Sequence, residues 1–245
     1  MLLHTASWPE VEAYLKTSKG IIIPIGSTEQ HGPNGLIGTD AICPEVIARE
    51  AGDEAGVLVG PTFNVGVAQH HLGFPGSMTL RPTTMIAALN DWIDSLARHG
   101  FEKIYFLNGH GGNIATIAAA FAESYANWSY DGEACPYELK QMNWWELPGV
   151  MDVCRSLFPV GEGSHATASE VSVTYYAYPE HVKTVEMSPK IAPNGRFTDA
   201  DNYRKSFPDG RIGSDPAQAT PEKGATIVAA ARKALISDVK TFFSR

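Results

Sequence analysis

Two short runs, Ile21-Ile22-Ile23-Pro24-Ile25 and Ile104-Tyr105-Phe106-Leu107, restrict the folds open to this chain more than any other feature, because neither alternates apolar with polar residues. A strand that is apolar on both faces has to be covered on both, which is the situation of an inner strand of a parallel sheet between helices. The intervening segments carry the helical signals this requires. Ser7 can cap a helix over 8–17, with Pro9 in its first turn and Gly20 ending the element. Helical periodicity also covers 41–51, 83–99 up to Gly100, the alanine-rich stretch 114–128, 170–178 and 221–243, and further strands are expected at 57–61 and 137–142. Strands and helices alternate with no repeat or low-complexity tract. The expected architecture is one α/β domain over 1–245, three layers deep (αβα), with a mainly parallel sheet.

Composition narrows the function. A formal net charge of −8 and a pI near 5.5 argue against a nucleic-acid partner, which needs a basic face to displace phosphate counterions. They also weaken attachment to anionic lipid, and no apolar run reaches the ~18 residues of a membrane span. The N-terminal stretch lacks a basic leader and carries Glu10 and Glu12, unlike a secretion signal. Cys43, Cys135 and Cys154 form no CxxC pair. They read as reduced, mostly buried thiols of a cytoplasmic protein, rather than as a zinc knuckle, a disulfide framework or a catalytic nucleophile.

Metal-ligand residue types gather directly after predicted strands, where open parallel sheets bind their ligands. After the first run comes Gly26-Ser27-Thr28-Glu29-Gln30-His31-Gly32-Pro33, continuing to Thr39-Asp40. Glu29 and His31 are two apart and project to one side of an extended backbone. The glycines and proline let Asp40 return to them. Two carboxylates and an imidazole suit Zn²⁺, Mn²⁺ or Fe²⁺ better than Ca²⁺. Against this, Asp40 can simply cap the helix beginning at Ala41, and Glu29 and His31 can be surface residues.

After the second run, Asn108-Gly109-His110-Gly111-Gly112-Asn113 offers either a ligand histidine or a glycine-rich phosphate cradle. Neither a P-loop Lys-Ser/Thr nor a GxGxxG pattern accompanies it. In the third segment, His165 to Glu170, Thr167 and Glu170 read as a capping box as readily as Glu170 reads as a ligand. The stretch 62–81 is long for a loop and rich in aromatic and histidine residues, which marks it as functional.

Taken in order, these segments resemble the creatininase (creatinine amidohydrolase) family. Phe74-Pro75-Gly76-Ser77 and Pro221-Glu222-Lys223-Gly224 look like further signatures, and the similarity runs from Ile22 to about Ala230. The resemblance implies a three-layer α/β fold and two divalent ions per chain, Zn, Mn or Fe. By it, Glu29 and His110 hold one ion, His31 and Glu170 the other, and Asp40 bridges both. It also implies a hydroxide between the ions and His165 as the acid that protonates the leaving nitrogen, so that His165 and Glu170 form the catalytic pair. Homo-oligomers, hexamers included, are frequent in the family. Creatininase itself has a glutamate two residues after the loop histidine, where this chain has Gly112. Many members carry HAGExET, whose first acid corresponds to Ala168.

Three carboxylates against two divalent ions leave a residual charge suited to one hydroxide, and coordination lowers the pKa of water from 15.7 to about 7. His71, Trp144 and Trp145 are candidate contacts for a small planar or cyclic substrate, with packing roles as the alternative. The expected chemistry is hydrolysis of a C–N bond in a small cyclic or linear amide. Ring opening of a cyclic ketone and peptide trimming are the alternatives within the family. A non-catalytic sugar or phosphate binder with a degenerate site is the alternative outside it, favoured by Gly112 and Ala168.

Overall fold

The computed structural model describes residues 1–244. In chain order the α-helices and strands are α1 Trp8–Leu15, β1 Gly20–Ile25, α2 Thr39–Ala55, β2 Leu58–Val59, α3 Pro82–Arg98, β3 Lys103–Asn108, α4 Ile114–Tyr130, β4 Glu138–Asn143, α5 Val150–Leu157, α6 Ala168–Ala177, α7 Ala200–Ser206 and α8 Pro221–Phe243. The strands form one parallel sheet in the order β2-β1-β3-β4.

Alternation of side chains across the pleat builds the three layers. Ile21, Ile23 and Ile25 of β1 join Ile104 and Phe106 of β3 on one face, where they pack on Met85, Leu89 and Ile93 of α3 and Ile117 of α4. The intervening Ile22, Tyr105 and Leu107 pack on the other face against Ile47 of α2, Val150 of α5 and Leu235 and Val239 of α8. Each such side chain, fully removed from water, contributes about 1.5–3 kcal/mol, which is why both runs are apolar throughout. Cys43 and Cys154 are buried in the second cluster, where burial pushes the Cys154 thiol up to about 12. They are core residues. No helix among the described residues is long and apolar enough to cross a membrane.

Several elements differ from the sequence expectation. α2 begins two residues before Ala41. β2 is only Leu58–Val59, because Gly60 and Pro61 favour a turn and Pro61 has no N–H for a ladder. α5 and α7 lie where no long periodic pattern marks them, and each is eight residues or fewer.

The register matters most for function. Ile25 pairs with Asn108 and Asn108 with Asn143, so β1, β3 and β4 end level with one another. The chain segments leaving these three strands therefore start from one rim of the sheet.

Candidate metal centre

Two glycines fix where Asp40 sits. β1 is followed by Gly26 and β3 by Gly109, and a Cβ on either would collide with the Asp40 backbone carbonyl. Glycine at both positions lets the first turn of α2 enter between the two strand ends. Pro44, four residues on, has no N–H to offer that carbonyl. The capping role considered for Asp40 is not found: Gly38 is the N-cap, and Asp40 lies inside the first turn. Its carboxylate faces His31 Nε2 at 3.1 Å and His110 Nδ1 at 3.0 Å.

The loop after β1 folds back on this turn. Glu29 N donates to the Ile37 carbonyl at 2.7 Å, and Gly35 N to the His31 carbonyl at 3.0 Å. Glu29 and His31 are thereby fully buried, so the surface reading fails for both. Glu29 Oε2 accepts from Ser27 Oγ at 2.7 Å and lies 3.3 Å from His110 Nε2. His31 Nδ1 stands 3.0 Å from the Glu29 carbonyl. A carbonyl only accepts, so Nδ1 carries a proton, and Nε2 is the nitrogen turned toward Asp40 and Glu170, the latter at 3.9 Å.

The capping reading of Glu170 is found, and it leaves the ligand reading open. The capping box is formed, with Thr167 N donating to Glu170 Oε1 at 2.6 Å and Glu170 N to Thr167 Oγ1 at 3.2 Å. The same box turns the carboxylate toward His31. In the glycine loop, Asn108 Nδ2 donates to the His110 carbonyl at 2.7 Å and to Asn143 Oδ1 at 2.8 Å, and Asn113 Nδ2 to the Gly26 carbonyl at 2.9 Å. These bonds brace the turn and aim His110 at Asp40. A Cβ at Gly112 would collide with the His110 ring and the Val67 carbonyl, so this backbone has no room for a carboxylate there.

The outcome among the described residues is four groups of three with ligand atoms within 4.8 Å of one another, of which two, Glu29-Asp40-His110 and His31-Asp40-Glu170, share Asp40, while Glu29-His31-His165 and Glu29-His70-His71 meet at Glu29. Burial raises Glu29, and raises Glu170 to about 7. Burial also opposes charge on His31 and His110, but the surrounding carboxylates outweigh it and lift them to about 10 and about 9. For Asp40 the two histidines overcome the burial penalty and hold it low. Even so, Glu29 Oε1 and Asp40 Oδ2 are buried with no aligned hydrogen-bond donor among the described residues. Unpaired inward-facing carboxylate oxygens beside imidazoles, with no thiolate, fit divalent ions such as Zn²⁺ or Mn²⁺.

A cavity of about 590 Å³ opens on this centre, lined by Asp40, His110, Glu170, His165, Trp144 and Trp145 among others. The two tryptophan rings stand at 88° with centroids 6.0 Å apart. Trp144 belongs to the core as well, so it packs and lines at once. His71 is not among the lining residues. It is buried behind Glu29, with Nε2 3.0 Å from Glu29 Oε1. His165 is held by an antiparallel bridge to Ile212 and by Ser214 Oγ donating to its carbonyl at 2.8 Å. Its Nδ1 lies 3.9 Å from Glu29 Oε1, and burial keeps the ring neutral by lowering its pKa strongly.

The sequence reading missed Gln30 and His70. Gln30 looks like a spacer between Glu29 and His31, yet its side chain touches both His71 and His165. His70 stacks on Phe197 at 4.6 Å, and the His70-His71 pair was the available signal.

The family model described as Creatininase, creatinine amidohydrolase, matches residues 4–239. The creatinine amidohydrolase of Pseudomonas putida is 26% identical over 235 residues, spanning 91% of this chain and 89% of the relative. The 3-dehydro-scyllo-inosose hydrolase of Thermotoga maritima is 28% identical over 248 residues, spanning 94% of this chain and 76% of the relative. Among solved structures, a manganese creatininase superposes with a TM-score of 0.87 at 23% identity, covering 100% of this chain and 99% of its own, a likeness of fold. With nearly its whole length matched by the family model, the chain belongs to the creatininase family.

Proposed function

We propose that this protein is a dinuclear metal-dependent amidohydrolase that cleaves a C–N bond in a small cyclic or linear amide. The observation that carries the reading is the sharing of Asp40 between two ligand groups at the floor of one cavity. Glu29 and His110 would hold one divalent ion, His31 and Glu170 the other, and Asp40 both. Bound there, the ions supply Lewis acidity and lower the pKa of water.

The remaining roles belong to the chain itself. Trp144 and Trp145 present apolar faces to a planar substrate and exclude water from it. His165, beside Glu29 at the cavity edge, delivers the proton to the departing nitrogen, without which an amide leaves as a poor anion. The cavity suits a small molecule, and the family resemblance adds a homo-oligomeric assembly, to be tested by sedimentation.

Screening the metal-loaded protein against lactams, formamides, cyclic ketones and short peptides tests the reading. Turnover of a lactam or formamide with two metal equivalents per chain supports it. Turnover confined to cyclic ketones or peptides moves the chemistry away from small amides. Absence of metal after supplementation favours a binding protein.

A further inference from the structure

The Gln30 amide is oriented by backbone on both sides. Its Oε1 accepts from Gly32 N at 2.8 Å, and its Nε2 donates to the Gly210 carbonyl at 2.9 Å. A backbone N–H only donates and a carbonyl only accepts, so the amide has one orientation. Gly210 has a positive φ, and a Cβ there would collide with Gln30, so the contact depends on glycine.

Nε2 so placed lies 2.9 Å from His71 Nδ1 and 2.9 Å from His165 Nε2, and His165 Nε2 is in turn 2.9 Å from the Gln30 main-chain carbonyl. Nε2 has two hydrogens for three neighbours. If His165 Nε2 is bare, its contact with the Gln30 carbonyl is unpaired and one contact of the amide fails as well. If His165 Nε2 is protonated, it donates to that carbonyl, and the two amide hydrogens go to Gly210 and His71 Nδ1. Only this arrangement satisfies three of the four contacts. Gln30 and His71 are buried, so water does not make up the difference.

We propose that Gln30 is a positioning residue that fixes His71 and His165 together as Nε2–H tautomers. His71 then carries its proton on Nε2, which stands 3.0 Å from Glu29 Oε1. His165 keeps Nδ1 bare on the side of Glu29. The catalytic consequence rests on the hydrolase reading above. Nδ1 takes the proton from the attacking water as its oxygen bonds to the carbonyl carbon, and returns that proton to nitrogen as the C–N bond breaks.

Long-range ¹⁵N–¹H NMR of the uniformly labelled, zinc-loaded protein tests the tautomers without any substrate, with His71→Asn and His165→Asn for assignment. Both rings are expected with Nε2 protonated and Nδ1 bare. Either ring found in the Nδ1–H form overturns the proposal, whatever the protein hydrolyses. Gln30→Glu replaces the amide donor by an acceptor and should draw a proton onto His71 Nδ1, while kcat on any turned-over substrate falls more than KM changes. Two unchanged Nε2–H rings in a folded Gln30→Glu variant would also overturn it. If that variant does not fold, the wild-type spectrum decides alone.

Discussion

The Thr167 backbone N–H holds the Glu170 carboxylate at 2.6 Å through the same oxygen that stands 3.9 Å from His31 Nε2. A helix cap and a candidate ligand are thus one side chain, and substitution can separate them. Glutamine can complete the same box, since it also accepts from the N-cap N–H, but it brings no charge. Glu170→Gln is therefore expected to keep thermal stability within about 1 kcal/mol of wild type and to lose one metal equivalent. Thr167→Val should do the reverse in stability, losing about 0.5–2 kcal/mol with the cap. Metal analysis beside thermal unfolding checks both. Full metal content in Glu170→Gln would remove Glu170 from the ligand set.

Asp40 is the residue both groups share, and its place depends on Gly26 and Gly109. Asp40→Ala is expected to release both ions, because it takes one ligand from each group. Gly109→Ala leaves all five ligand-type residues intact but forces a Cβ against the Asp40 carbonyl and the Pro44 ring. It should cost about 1–3 kcal/mol as overpacking does, measured by urea unfolding, and should weaken metal binding with it. A Gly109→Ala protein with wild-type stability and metal affinity would show that the strand ends do not set Asp40.

The inner strands and the positions of Glu29, His31 and His110 were legible in the sequence for one reason, while Glu170 and the sharing of Asp40 were expected only from the family resemblance. Ile21–Ile25 and Ile104–Leu107 are apolar because both faces are covered, and residues just beyond such strands have to fall on one rim. Gln30 was illegible because its role is set by partners 41, 135 and 180 positions away, at His71, His165 and Gly210. The same holds for His71, a candidate substrate contact by sequence that instead backs Glu29. Short α5 and α7 are helical through packing and capping rather than through a long periodic pattern, so tertiary contacts decide them.

His165 lies 3.9 Å from Glu29 and 4.6 Å from the His31 ring between centroids, but belongs to neither group built on Asp40. His165→Ala should accordingly retain metal while losing about 10²–10⁴ in kcat, with the greatest loss for amides whose leaving nitrogen is most basic. A leaving-group series measured on wild type and variant gives the comparison. Equal loss across the series would take proton delivery away from this residue.

The pH dependence of the metal-free protein follows from the buried histidines. Carboxylates around them outweigh burial and hold His31 up to about 10 and His110 to about 9, against roughly 6.5 for histidine in an unfolded chain. Between those limits the folded state keeps protons that the unfolded state has lost, so the stability these two histidines contribute is full below about pH 6.5 and declines as pH rises toward 10. Glu170, raised by burial to about 7, acts in the same direction from its ordinary range near 4.5 upward. Divalent ions compete for the same lone pairs, so their binding should release protons and tighten as pH rises. Chelator-treated protein is therefore expected to lose melting temperature steadily from about pH 6.5 to 10. The zinc-loaded protein should hold nearly level, because the ions take over the charge balance that protons provide in their absence. A chelated protein whose melting temperature is flat or rising over that window would mean that His31 and His110 are not held cationic by Asp40, Glu29 and Glu170.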